Sequence, residues 1–292
     1  MAQPEKRVIY YSKTTDDFAG TNIRTRKVDA AFPFARKGAA WKVVSFLLYY
    51  LIALPLVSLI IRAVNRTKIV NRKSLKHIKG GFFLYGNHTH WSDGFLPHVM
   101  ASPRRTYVIA GPDAVSIKGL RSIVTMLGAI PVPTQPKALG PFSDAVKQRY
   151  KEDSCVAIYP EAHIWPYYTG IRPFPPTSFL YPAELGAPVV AMVTRYRERK
   201  GRGNKLKKPA RTVILSDPIY PKLGLTVRQS QLDLHRRVAE FMYECAGLPG
   251  NFEYVEYRQR EAGLLPPQTE KRQGCSPAAR TTTGAALWDS CL

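Results

Sequence analysis

Gly81-Phe82-Phe83-Leu84-Tyr85-Gly86 runs straight into Asn87-His88-Thr89-His90-Trp91-Ser92-Asp93. The first half is a short apolar run closed by glycine, the pattern of a strand buried on both faces. The second half turns polar at once and carries His88 five positions ahead of Asp93, where a strand ends and a helix begins. A histidine held by a carboxylate is the smallest assembly that takes a proton from an alcohol near neutral pH. The imidazole titrates in that range, and the carboxylate fixes its tautomer and steadies the imidazolium. Strand ends in α/β sheets are also where substrates bind. Spacing alone decides little: with six His and ten Asp in the chain, such a pair arises by chance about 0.2 times. A capped turn, with Asp93 as N-cap and His88 a loop histidine, fits equally well at this point.

Outward from this stretch the same alternation continues. Strand-like runs recur at 68–70, 106–110, 129–132, 155–159, 188–194 and 212–215. Helix-compatible stretches separate them at 95–101, 116–127, 141–151, 178–185 and 227–246. The last has Leu232, Val238, Phe241, Met242 and Cys245 spaced for one apolar face. The expected fold is α/β: a mixed, mostly parallel sheet covered by helices on both faces, with an N-terminal membrane-embedded helical segment before it.

That segment is 43–61, nineteen residues without a charge, long enough to cross a hydrocarbon layer of roughly 30 Å. Lys42 and Arg62 bracket it, and Pro55 predicts a kink near its middle. A single span and a kinked pair of helices embedded in one leaflet both fit. Basic residues on both flanks give the positive-inside rule nothing to choose between, and this symmetry favours the one-leaflet form. A buried core helix is the bland alternative, but such helices rarely run so long without a polar face.

Forty-three Lys and Arg against twenty-one Asp and Glu leave a formal charge of +22, which calls for a polyanionic partner. Residues 195–211 concentrate nine Lys or Arg with one acid, Glu198. Beside a membrane helix, an anionic lipid surface is the expected partner of this run. Nucleic acid is not expected, since no binding motif accompanies the charge. Cys155, Cys245, Cys275 and Cys291 show neither metal-ligand nor disulfide spacing and fit a reducing compartment. The expected organisation is a polar basic lead-in of weak structure (1–36), a membrane-embedded helix or helix pair (37–66), an α/β domain (67–262) and a disordered tail (263–292).

A second polar block, Tyr159-Pro160-Glu161-Ala162-His163, follows the run 155–159, so Glu161 and His88 belong to one edge of a parallel sheet. Two weaker blocks, 126–132 and 183–190, join a helix to a strand. These four blocks, in this order, resemble the glycerolipid acyltransferase superfamily typified by 1-acyl-glycerol-3-phosphate acyltransferase. Asn87, His88 and Asp93 match its first block, Tyr159, Pro160 and Glu161 its third, with Ala162 where the family has glycine. The likeness covers about residues 75–220, and the first and third blocks together are its specific part.

The resemblance implies His88 as general base, oriented by Asp93, with the acceptor hydroxyl attacking an acyl thioester directly. Ser92 then serves a turn rather than as nucleophile. It assigns Asn87, Glu161 and Arg172 to substrate binding and requires no cofactor and no metal. The donor is acyl-coenzyme A or acyl-acyl-carrier-protein, the acceptor a lysophospholipid, and the place the cell membrane with the catalytic domain on its cytoplasmic face. Two departures stand out. The family's second block ends in a phosphate-gripping arginine, and here 130–133 is Ile-Pro-Val-Pro. The arginine that follows the third block is displaced to Arg172, eleven residues beyond Glu161. Arg172 looping back, or Arg104, Arg105 or Lys118, is the expected replacement. Three rivals remain: another lipid or glycolipid acceptor, a metal-dependent hydrolase using His88, His90 and Asp93, and a non-catalytic basic membrane module. Trp165 and His163 read as part of a packed aromatic loop.

Overall fold

The computed structural model describes residues 6–20, 24–36, 38–199 and 208–260. In chain order they form β1 (Arg7–Tyr11), α1 (Ala39–Val64), β2 (Lys68–Val70), β3 (Phe82–Gly86), α2 (Leu96–Ala101) and β4 (Thr106–Ala110). Then follow α3 (Arg121–Met126), β5 (Ala129–Pro131), α4 (Leu139–Lys151), β6 (Cys155–Ile158) and α5 (Leu180–Leu185). The chain closes with β7 (Val189–Arg197), β8 (Ala210–Leu215), α6 (Val227–Gly247) and β9 (Val255–Gln259). The proposed tail and residues 200–207 of the basic run lie outside the described residues.

Seven strands make one sheet in the order β2-β8-β7-β3-β6-β4-β5. β3 to β7 are parallel, whereas β8 meets β7 antiparallel and β2 follows β8. The mixed, mostly parallel sheet and its two covered faces are as expected from the sequence. The strands' period of two sorts the core cleanly. Phe83, Tyr85, Val156, Ile158, Val189 and Ala191 face α4, α5 and α6. Phe82, Leu84, Cys155, Ala157, Val190 and Met192 face α2 and the end of α1. Because β3 sits between β6 and β7, the residues just past its end stand at the centre of the sheet's edge.

Three expectations need correction. The lead-in is not weakly structured: β1 pairs in parallel with β9, and Val28, Phe32 and Phe34 are buried in the core. Its few apolar residues were hidden among Arg24, Arg26, Lys27 and Asp29. The helix at 116–127 is shortened to α3, because Gly119 takes a left-handed φ of 82° that a helix cannot continue through. In α6 the buried row is Leu234, Val238, Met242 and Cys245, with Leu232 left 42% exposed. Leu232 precedes Val238 by six residues, about 120° around the helix, so it cannot share that face. The N-terminus of α6 is fixed by a reciprocal cap between Thr226 and Gln229.

The apolar run is one helix of 26 residues, long and apolar enough to cross a membrane, not a pair. Its turns widen to π-helix over Leu48–Ala53, directly ahead of Pro55. The wider turn accommodates a ring that would otherwise clash with the preceding carbonyl. Only 11% of its apolar window is buried. Ser45, Tyr49 and Ile61 face the domain, while Val44, Phe46, Leu51, Ile52, Leu56 and Leu59 are exposed.

Candidate active site

The strand β3 ends in Gly86 because nothing larger fits. A Cβ there would stand 2.8 Å from the Met192 methyl and 2.9 Å from the Tyr159 ring. The chain then turns tightly around one carboxylate. Asp93 Oδ2 accepts the backbone N–H groups of Thr89 and His90, each at 2.7 Å. It also lies 3.3 Å from His88 Nδ1. The neighbouring oxygen, Oδ1, accepts from Arg211 Nη1 at 3.3 Å. Asp93 is fully buried, and the His88 side chain keeps 17% exposure. With Nδ1–H turned to Asp93, the Nε2 lone pair is the basic position, and the Tyr159 ring stacks on the imidazole at 4.6 Å.

The block after β6 supports this loop from below. Glu161 accepts the backbone N–H of His88 at 3.1 Å and that of Arg172 at 3.0 Å, and it pairs with the Arg172 guanidinium at 3.0 Å. Arg172 also donates to the carbonyls of Thr14 and His163 and is only 2% exposed. Asn87 is spent between strands, donating to the Thr194 carbonyl at 3.1 Å and accepting its N–H at 2.8 Å. Thus His88 and Asp93 meet as expected, and Glu161 stands beside them. The substrate-binding assignments of Asn87, Glu161 and Arg172 do not fit their geometry, since all three are buried and committed to protein partners. Arg104 and Arg105 are likewise occupied, Arg105 donating to Ser45 Oγ at 3.0 Å beneath α1. Lys118 is an exposed residue between the helices.

Ala162 has a φ of 64°, a left-handed conformation that costs an alanine about 1 kcal/mol and a glycine little. Beyond it Trp165 is buried, packed by Tyr11, Phe18 and Tyr257 and donating to the Asp16 carbonyl at 2.7 Å. This is the packed aromatic loop expected from the sequence. Ser92 is buried with Oγ on His90 Nδ1, 2.8 Å away, in keeping with a turn residue.

Arg211 went unrecognised as a site residue. It appeared only as the last charge of a basic run, and its position follows from β8 being antiparallel. That direction brings the first residues of β8, not its last, to the edge where β3, β6 and β7 end. A cavity of about 210 Å³ opens beside it, with His90, Trp91, Arg199 and Lys208 in its wall. Among the described residues, no cluster of three or more His, Cys, Asp or Glu is arranged to hold a metal ion.

Two histidines near the site stay neutral. Burial, then Arg211, pushes His90 down to about 4. Burial, then Arg105, pushes His98, bonded to the Tyr49 hydroxyl at 3.0 Å, down to about 3. The unfolded chain protonates such residues near pH 6.5, the folded chain only below these values. Stability is therefore complete above about pH 6.5 and declines as pH falls from there toward 4 and 3. For His98 the slope is about 1.4 kcal/mol per pH unit. Thermal melts across this range check it: His98→Asn flattens the profile, and an unchanged slope contradicts the assignment.

At the central strand ends a histidine, a buried aspartate and a supporting glutamate stand together. Residues 63–195 match the family model described as Acyltransferase. Among solved structures it is similar to the crystal structure of the 1-acyl-sn-glycerophosphate (LPA) acyltransferase PlsC from Thermotoga maritima. The match has a TM-score of 0.51 and 14% identity, covering 74% of this chain and 91% of that one; it speaks for the fold. No curated protein sequence matches the chain.

Proposed function

We propose that this chain is an acyltransferase that moves a fatty acyl group from an acyl thioester to the hydroxyl of a lysophospholipid, 1-acyl-glycerol-3-phosphate foremost. The observation that carries it is His88 held by the buried Asp93 at the sheet edge, within a domain whose α1 presents an unbroken apolar outer side. His88 Nε2 takes the hydroxyl proton as the oxygen attacks the thioester carbonyl, and the thiolate leaves with the proton that His88 returns. Asp93 stabilises the imidazolium between these steps. Glu161 is a positioning residue, fixing the backbone of His88 rather than touching the acceptor. The donor is carried on coenzyme A or acyl carrier protein.

The contacts of α1 favour embedding in one leaflet. From Ser45, which donates to the Met126 carbonyl at 2.7 Å, to buried Ile61 the helix rests on the domain. That is a length of about 24 Å. A span would carry this much of the domain's own surface into hydrocarbon, at heavy cost to its polar groups. Lying flat, α1 turns its apolar side to lipid and its basic flanks, Lys42, Arg62 and Arg66, to anionic headgroups. The free thiols of Cys155 and Cys245 fit a cytoplasmic face.

The test incubates the full chain on anionic vesicles with acyl-coenzyme A and a panel of lysophospholipids, with products read by mass spectrometry. Acylation of 1-acyl-glycerol-3-phosphate is expected. Thioester hydrolysis alone, or no product from folded, vesicle-bound protein, sinks the proposal.

A further inference from the structure

The cations at the ends of β7 and β8 outnumber the acids beside them. Arg66, Arg197, Arg199, Lys208 and Arg211 gather where α1 ends, and Asp93 is the one carboxylate within salt-bridge reach of any of them among the described residues. Arg197 and Arg199 donate to the carbonyls of Arg66 and Val64, the negative end of α1. This satisfies part of their charge. Even so, burial together with Arg66, Arg197 and Arg211 presses Arg199 below its ordinary range. Cations held together against mutual repulsion, with no matching carboxylates, mark a place prepared for an anion.

Arg199, Lys208 and Arg211 share the wall of the 210 Å³ cavity with Asn65, His90 and Trp91. Arg211 is 2% and Arg199 8% exposed. Three buried donors at this wall, Asn65 Nδ2, Arg199 Nε and Arg211 Nη2, have no partner among the described residues. Unpaired buried donors are costly, and a group with several charged acceptor oxygens resolves them together. Arg211 and His88 hold opposite oxygens of the same carboxylate, so an anion here sits one carboxylate away from the base. Val64, the last residue of α1, and Trp91, 67% exposed, also line the cavity, which places it beside the lipid-facing helix.

We propose that Arg199, Lys208 and Arg211 bind the phosphate of the acceptor, in place of the arginines missing from 130–133 and from the segment after Glu161. The proposal rests on the acyltransferase reading above. It makes the enzyme selective for a phosphomonoester headgroup over an uncharged one, because its cations need a compact, highly charged partner. Phosphates of coenzyme A offer the same chemistry, and the test separates the two sources.

Lys208 is exposed and makes no hydrogen bond among the described residues, so Lys208→Gln leaves the fold intact; Arg199→Gln is the second variant. On vesicles, each raises KM for 1-acyl-glycerol-3-phosphate by about tenfold, the size of one hydrogen bond to a charged group. KM for acyl-coenzyme A and turnover of a monoacylglycerol acceptor stay at wild-type values. A rise in the donor's KM instead, absent when the donor is an acyl-pantetheine, assigns the cations to coenzyme A and overturns the proposal. An unchanged acceptor KM in active enzyme overturns it too. Calorimetric titration with glycerol 3-phosphate reads the site without turnover. Weaker binding by both variants supports the site, and equal binding by all three proteins refutes it, even if acyl transfer itself is never detected.

Discussion

His88→Ala lowers kcat by about 10²–10⁴-fold, the range that a positioned general base contributes, while the protein melts and binds vesicles as wild type. The side chain is partly exposed, and its ring stacks on Tyr159 and meets one oxygen of Asp93. Little packing is lost with it. Asp93 still accepts the N–H groups of Thr89 and His90 at 2.7 Å and still holds Arg211, so the loop keeps its shape. The loss therefore belongs to kcat and not to KM. Steady-state kinetics with a thioester donor, alongside a melt, checks both halves. A His88→Ala enzyme within tenfold of wild type rules out His88 as the base. A variant that fails to fold would instead mean that the ring is structural, which its exposure argues against.

How far this site is legible in the sequence depends on what kind of neighbour each residue needs. His88 and Asp93 lie five residues apart in one turn, and local geometry brings them together wherever the turn forms. Glu161 needed only the parallel pairing of β3 with β6, which an alternating α/β pattern implies. Arg211 needed the direction of one strand. An antiparallel β8 reverses which of its ends meets the site, and strand composition carries no sign of direction. The same limit hid the pairing of β1 with β9, since 244 residues separate Tyr11 from Val255 and each strand is only five residues long. For the aromatic loop the sequence showed the residues, but its cover of Tyr11, Phe18 and Tyr257 comes from the two ends of the chain.

Arg172 shows where resemblance misleads, and it carries the second large effect. Read as a displaced phosphate ligand, it would be dispensable for folding and its loss would appear in the acceptor's KM. Its surroundings say otherwise. The guanidinium pairs with buried Glu161, donates to the Thr14 and His163 carbonyls, and lies 5.0 Å over the Trp165 ring. Arg172→Met leaves Glu161 buried without its counter-charge, a change that costs about 3–5 kcal/mol. It also frees the N-terminal segment at Thr14 from the core. Melting should fall by roughly 10 °C or more, before any kinetic defect is measured. Glu161→Gln added to Arg172→Met removes the stranded charge and recovers part of that loss, because a neutral amide oxygen still accepts the His88 N–H. A phosphate ligand predicts the reverse pattern: wild-type melting for Arg172→Met, a raised acceptor KM, and no rescue by the second change. The thermal melts of the single and double variants decide between a strut beneath the catalytic loop and a hand on the substrate.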